Sequence, residues 1–325
     1  MKRVLVSGAS GVVGYGILRS LRQAEAPCLL IGTSIYADSV TPAFSDIFEL
    51  APSTEDSGYT EWLLATIKRH QVDLLMPGIE IDMYHWARHR PRIEETGAKA
   101  MLNENALISL CKDKWSFYER LVANKLDCVI KSSLDHDFDA LASEFGLPFL
   151  LKPRRGFASK GIVRVTSEGI FALHKADVGP RLMAQPIVGN DDEEFTTSAF
   201  CDGAGGYFAI MTLRRKLSRD GFTDRAEVVD SEPFEPTIIN LCKLLRPLGP
   251  TNFQFRLTEQ GPKLLEINPR ISSSTSIRAA FGYNESAMAL DYFLERREPL
   301  QPTVRRGRAV RYIDEKIFYE DSVHI

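Results

Sequence analysis

The sequence predicts two architectures in one chain: an α/β first part, with a Rossmann-like parallel sheet, followed by a part of α+β character. Three observations carry this. Short apolar runs alternate with helical periodicity through the first hundred or so residues, the rhythm of βαβ units. Beyond Asn103 the strand signals come in pairs flanking short loops, as antiparallel hairpins do. A length of 325 residues suits two domains, or three small ones, each able to bury a core without staples.

The elements follow in order. Val4-Leu5-Val6 reads as a short buried strand. Gly8-Ala9-Ser10-Gly11-Val12-Val13-Gly14 turns into a helix running through Leu21, and Cys28 to Gly32 forms the next strand. Tyr59 to His70 is helical, with Tyr59, Trp62, Leu63 and Ile67 on one face. Val72 to Pro77 is a strand with a loop at its carboxyl end. Asn103 is placed as the N-cap of a helix whose apolar stripe is Leu107, Leu110, Phe117 and Leu121. Lys114 falls inside that stripe and needs a partner or a snorkel to water. Pro148 to Lys152 and Ile162 to Val165 flank a loop. Thr251 to Leu257 and Lys263 to Asn268 flank the turn Glu259-Gln260-Gly261.

Composition excludes several classes. Apolar residues make up 44% and charged residues 26%, as in ordinary globular proteins. Lys plus Arg is 40 against 43 Asp plus Glu, so no global basic surface for nucleic acid exists and an anion needs a local site. The five cysteines show no CxxC spacing, which reads as buried thiols in a reducing cytosol rather than disulfides or zinc. The charged start is cut short by glycines, so no targeting segment is expected, and no apolar run reaches a membrane-spanning length.

The first glycine turn has two readings. Gly8, Gly11 and Gly14 after a strand could cradle a pyrophosphate at a helix N-terminus, as in a nicotinamide-dependent oxidoreductase. Asp38 is poorly placed for a ribose, and the sole Tyr-x-x-x-Lys, Tyr312 to Lys316, lies near the C-terminus. The favoured reading is a tight turn that binds no dinucleotide.

Leu151 to Gly161 holds four cations and two glycines between strands. A Walker loop needs a helix after it, so this is not one. A hairpin tip of small residues lets backbone N–H groups approach phosphate oxygens, with Lys152 fixed at the end of a buried strand. A plain basic surface hairpin is the alternative.

The most informative segment is the last hairpin. Glu266 and Asn268 share a face. With Thr258 opposite Pro262, Gln254 falls opposite Glu266 and Asn252 opposite Asn268. One carboxylate with carboxamide oxygens is a hard donor set suited to Mg²⁺. Glu266-x-Asn268-Pro269-Arg270 adds a cation beside it, and the run from Ser272 to Ser276 adds hydroxyls.

Together these pieces resemble the ATP-grasp superfamily, in particular the large subunit of carbamoyl-phosphate synthase and related amino-acid ligases. The resemblance runs from the Rossmann-like part through Cys111-Lys112-Asp113-Lys114, Leu151-Lys152-Pro153, Gln185 to Gly189 and Glu194-Phe195-Thr196, to Gln254 and Glu266 to Ser272. It implies a preceding domain over 1–105, a small lid subdomain over 106–184 and a C-terminal subdomain over 185–325, the last two forming a two-lobed ATP-grasp unit. It implies ATP and one or two Mg²⁺ ions as cofactors, with Mn²⁺ a suitable substitute. Lys114 and Lys152 would contact phosphates, and the loop around Ser159 would cover them. Gln185, Ile187 and Val188 would hold adenine, and Glu194, with Glu193 as rival, the ribose. Gln254, Glu266 and Asn268 would hold metal, and Arg270 would stabilise the transferring phosphoryl group. Gln185 stands where a Glu is usual, and Pro186 removes a backbone donor.

The activity implied is a carboxylate–amine ligase working through an acyl phosphate, on an amino acid or other small carboxylate. A non-catalytic or regulatory ATP-binding protein is the other class kept. For substrate, Glu80 and Asp82 could hold an ammonium, Arg214 or Arg215 a carboxylate, and Ser272 further contacts; charges on solvated loops are the alternative for each. The expected partners are small carboxylates and amines, without nucleic acid or membrane, in the cytoplasm; a homodimer is left open.

Overall fold

The computed structural model describes residues 1–156, 161–190 and 193–319. Three sheets organise them. The first is parallel, in the order β3-β2-β1-β4-β5, from β1 (Lys2–Val6), β2 (Cys28–Ser34), β3 (Ile47–Leu50), β4 (Leu74–Met76) and β5 (Lys99–Ala100). Its helices are α1 (Val12–Leu21), α2 (Tyr59–His70) and α3 (Glu80–Glu94). Val4, Leu5 and Val6 are all fully buried, because alternate residues face two different cores. Leu5 packs with α2 and α3. Val4 and Val6 pack with α1 and with residues from the far end of the chain.

The segment after Asn103 departs from the expected single helix. It breaks into α4 (Asn105–Lys112) and α5 (Lys114–Ala123) at Asp113, whose carboxylate accepts from the N–H groups of Trp115 and Ser116. Asn103 is not the N-cap; Glu104 holds that position. Asn103 is instead buried, donating to Thr251 Oγ1 and Pro269 O and accepting from Leu248 N–H at 2.6 Å.

Next come α6 (Phe138–Phe145), β6 (Phe149–Pro153), β7 (Val163–Val165), α7 (Glu168–His174) and β8 (Leu182–Pro186). They form a small antiparallel sheet, β7-β6-β8, with its own core of Leu141, Phe149, Phe171 and neighbours.

The third sheet is antiparallel, in the order β13-β12-β9-β10-β11-β14. Its strands are β9 (Glu194–Asp202), β10 (Tyr207–Leu217), β11 (Thr223–Val229), β12 (Leu248–Thr258), β13 (Gly261–Asn268) and β14 (Arg308–Val310), with α8 (Glu235–Leu245), α9 (Thr275–Ala280) and α10 (Glu285–Glu295). One face packs on α5 and α8. The other merges with the core of the parallel sheet through α9 and α10.

The interior of this third sheet carries charge. Arg278 and Glu285 are 0% and 1% exposed and pair at 3.3 Å. Arg278 also donates to Ser272 Oγ, Thr196 Oγ1 and Asn252 Oδ1, and Ser198 Oγ donates to Glu285. No helix among the described residues is long and apolar enough to cross a membrane.

Candidate active site

The last hairpin shows how local chain geometry sets the site. At its tip the register is Thr258↔Gly261 and Leu257↔Pro262, one residue tighter than expected. A bulge then falls at Leu265, between the pairs Phe255↔Leu264 and Gln254↔Glu266. The extra residue restores the expected pairs, Gln254↔Glu266 and Asn252↔Asn268. The carbonyl of Leu265 accepts from Lys152 Nζ at 3.4 Å, which ties the bulge to the small sheet.

A cleft of about 420 Å³ opens between the three sheets. Lys114, Lys152, Gln185, Ile187 and Val188 line it from the small-sheet side. Glu194, Arg215, Gln254, Glu266 and Asn268 form the opposite wall, and Glu80, Arg270 and Ser272 close the end nearest the parallel sheet. Thirteen of the sixteen residues singled out in the sequence thus meet in one place.

The other three do not. Asp82 is two residues beyond Glu80 on the first turn of α3, which puts the two on opposite sides of the helix. Its carboxylate is buried, accepting from Thr54 Oγ1 and from Tyr59 OH at 2.9 Å, and burial raises its pKa. Arg214 alternates with Arg215 along β10, so it faces outward and pairs with Glu227 at 2.5 Å. Ser159 lies outside the described residues.

Lys114 opens α5 instead of sitting in a continuous stripe, and its ammonium donates to Gly156 O at 2.8 Å. Burial lowers the pKa of Lys152 to about 8; Glu266 pulls it back up and Lys114 pushes it further down. Burial favours the neutral acid of Glu266, but Lys114, Lys152 and a hydrogen bond from Asn268 outweigh it, and its pKa ends below the usual value.

The opposite wall is cross-linked. Arg215 donates to Glu194 Oε1 from Nε and Nη2, at 3.0 and 2.9 Å, and to Gln254 Oε1 at 2.7 Å. Arg256, which the sequence reading passed over, reaches within 3.8 Å of Glu194 and lines the cleft. Between the two rivals for the ribose position, Glu194 faces the cleft, whereas Glu193 accepts from Asn190. Asn268 donates to Glu266 Oε1 at 3.1 Å. Arg270 reaches across to Glu80 at 2.5 Å.

Gln254, Glu266 and Asn268 bring one carboxylate and two amide oxygens together on adjacent strands. Gln254 Oε1 already accepts from Arg215, and Asn268 Oδ1 from Arg270 Nη2 at 3.4 Å, so a hard cation here would share each amide oxygen with an arginine and complete its shell with water or phosphate. Among the described residues no three His, Cys, Asp or Glu side chains gather as a metal-binding group, so a cation here would depend on the amides.

The first glycine turn is built for close packing. A Cβ at Gly14 would lie 2.4 Å from Gly8 O, and one at Gly78 would lie 2.1 Å from Ser7 O. The turn and the β4–α3 loop therefore interlock through glycine, which accounts for the spacing without a dinucleotide.

Comparison with known proteins agrees with this architecture. Residues 180–316 match the model of a family described as "ATP-grasp in the biosynthetic pathway with Ter operon". The N5-carboxyaminoimidazole synthetase of Staphylococcus aureus superposes with a TM-score of 0.71 over 93% of this chain and 80% of its own, at 15% identity. The chain has an ATP-grasp fold. The biotin carboxylase domain of Hydrogenobacter thermophilus 2-oxoglutarate carboxylase, a dimer seen with MgADP and bicarbonate, gives 0.71 over 94% and 73% of the two chains, at 15% identity. The L-amino acid ligase of Bacillus licheniformis gives 0.67 over 93% and 75%, also at 15% identity. An uncharacterized protein, y4rH of Sinorhizobium fredii, is 29% identical over 154 residues, covering 42% of this chain and 31% of its own length. The chain thus spans under a third of that curated relative.

Proposed function

We propose that this ATP-grasp protein is an ATP-dependent ligase that joins a small carboxylate to an amine through an acyl phosphate. A substrate carboxylate oxygen attacks the γ-phosphorus of ATP, and ADP leaves. The amine, bound as an ammonium, gives up one proton to solvent; its nitrogen then attacks the acyl carbonyl, inorganic phosphate leaves, and the nitrogen gives up a second proton. Such transfers need positioning and charge neutralisation more than acid–base groups. The observation that carries the reading is the convergence of Lys114, Lys152, Glu266 and Arg270 on one cleft.

In this reading Gln185, Ile187 and Val188 hold the base, and Glu194 takes the ribose through the oxygen that Arg215 leaves unused. Lys114 and Lys152 hold the phosphates. Gln254, Glu266 and Asn268 hold Mg²⁺, which supplies charge neutralisation at the phosphates when bound. Arg270 faces the transferring group, and Glu80 beside it receives the amine as an ammonium. The units 1–105, 106–184 and 185–325 belong to the same proposal with the second boundary moved: the parallel sheet ends at Ala100, but β8 (Leu182–Pro186) pairs within the small sheet, so the lid unit runs through Pro186 and the C-terminal unit begins before β9 at Glu194.

The test is an ADP-release screen with ATP, Mg²⁺ and pools of carboxylates crossed with pools of amines. ADP release that requires one member of each pool supports the ligase. ATP binding without stimulation by any pool favours a regulatory nucleotide-binding protein.

A further inference from the structure

We propose that Ser132 is a positioning residue that locks the amide of Gln185 and thereby selects a purine with a 6-amino group over one with a 6-oxo group. The inference rests on the nucleotide reading above and names what sets its base preference.

Gln185 pairs with Leu150 across the small sheet, and Leu150 and Lys152 line the cleft from the same face. Two residues along a strand separate the Gln185 level from Lys152, about 7 Å. The base end and the phosphate end of a nucleotide fall on those two levels. Ile187 and Val188 continue the wall at the base end.

The side chain of Gln185 is not free to turn. Its Nε2 donates to Ser132 Oγ at 2.9 Å. Ser132 is buried, and its own proton goes to Ile130 O at 3.1 Å. A hydroxyl has one proton, so Ser132 has only lone pairs left for Gln185. Turning the amide over would set Oε1 against those lone pairs, two acceptors face to face in a buried spot. Gln185 therefore offers its oxygen to the cleft. That oxygen accepts from a 6-amino group and repels a 6-oxo group. A glutamine without the lock could turn and serve either.

The experiment measures ATP and ITP affinities, with Mg²⁺ and no other substrate, for the wild type, Ser132→Ala and Ser132→Thr. ITP differs from ATP only at position 6 and the adjoining N1. Wild type should prefer ATP. In Ser132→Ala the ATP-to-ITP affinity ratio should fall by about tenfold or more, the scale of one buried hydrogen-bond mismatch. Ser132→Thr, which keeps the hydroxyl, should restore the wild-type ratio. A ratio unchanged in Ser132→Ala, or an equal loss of both nucleotides, would overturn the inference and leave the nucleotide site standing. Failure of the wild type to bind ATP would remove the nucleotide reading and this inference with it.

Discussion

Replacing Glu285 by Gln keeps the shape of the side chain and removes one buried charge. The partner, Arg278, is 0% exposed, and among the described residues no other carboxylate pairs with it. At 3.3 Å and an effective dielectric near 20, the pair's attraction is about 5 kcal/mol. Breaking a buried pair from one side typically costs ~3–5 kcal/mol. Glu285→Gln should therefore lower stability by that amount. With a urea slope of ~3 kcal/mol/M, the unfolding midpoint should drop by roughly 1–1.7 M. The double variant Arg278→Met/Glu285→Leu removes both charges. It takes the Glu285 acceptor from Ser198 Oγ, at ~1–3 kcal/mol, while Thr196 still donates to Asn252 Oδ1 and Ser272 Oγ still accepts from Ser274 N–H, so it should fall between wild type and the single variant. Urea unfolding followed by far-UV circular dichroism measures all three. An unchanged midpoint in Glu285→Gln, or a double variant weaker than the single one, would refute the reasoning.

Three more outcomes are expected. Glu266→Gln should lower ligase turnover by orders of magnitude while leaving the fold intact by circular dichroism; wild-type rates would sink the metal assignment. With the pKa of Lys152 lowered to about 8, its ammonium is lost as pH rises through that value, so nucleotide affinity should weaken above pH 8. Because bound phosphate restores the proton, calorimetry in buffers of different ionisation enthalpy should show uptake of roughly half a proton at pH 8. The same depressed value makes the unfolded chain hold the extra proton between about pH 8 and 10.5, so this group's contribution to stability rises with pH across that window. Gly14→Ala should destabilise by on the order of 2 kcal/mol or more, since its methyl meets the Gly8 carbonyl and cannot push backbone aside; a thermal midpoint equal to wild type would count against the interlocked turn.

How much was legible depended on whether a signal was local. The βαβ rhythm follows from short-range patterning, and α2 spans Tyr59–His70 as its stripe predicts. The facing pairs of the last hairpin were legible by parity, although the assumed turn was one residue too long. The bulge at Leu265 compensates, and nothing in Leu264-Leu265-Glu266 announces it. Strand β9 was missed because Thr196, Thr197 and Ser198 look like a polar loop. They are fully buried because Asn252, Thr212 and Glu285 satisfy them from other elements. Arg278 and Glu285 likewise look like ordinary helix-surface charges. The fates of Asp82 and Arg214 turned on which side of a helix or strand faced the cleft, a choice their neighbours in sequence did not fix.

The division of the cores has a mechanical consequence. The parallel sheet and the large antiparallel sheet share one apolar interior, and Asn103 and the Glu80–Arg270 pair rivet them further. The small sheet keeps a separate core and meets the others largely through polar contacts such as Lys152 to Leu265. If the assembly is a pair of jaws, two-thirds of it is the anvil. The compliant part is the piece carrying Lys152 and Gln185, so the cleft widens or narrows most cheaply by moving the base and phosphate contacts over a fixed floor of Glu266, Asn268 and Arg270.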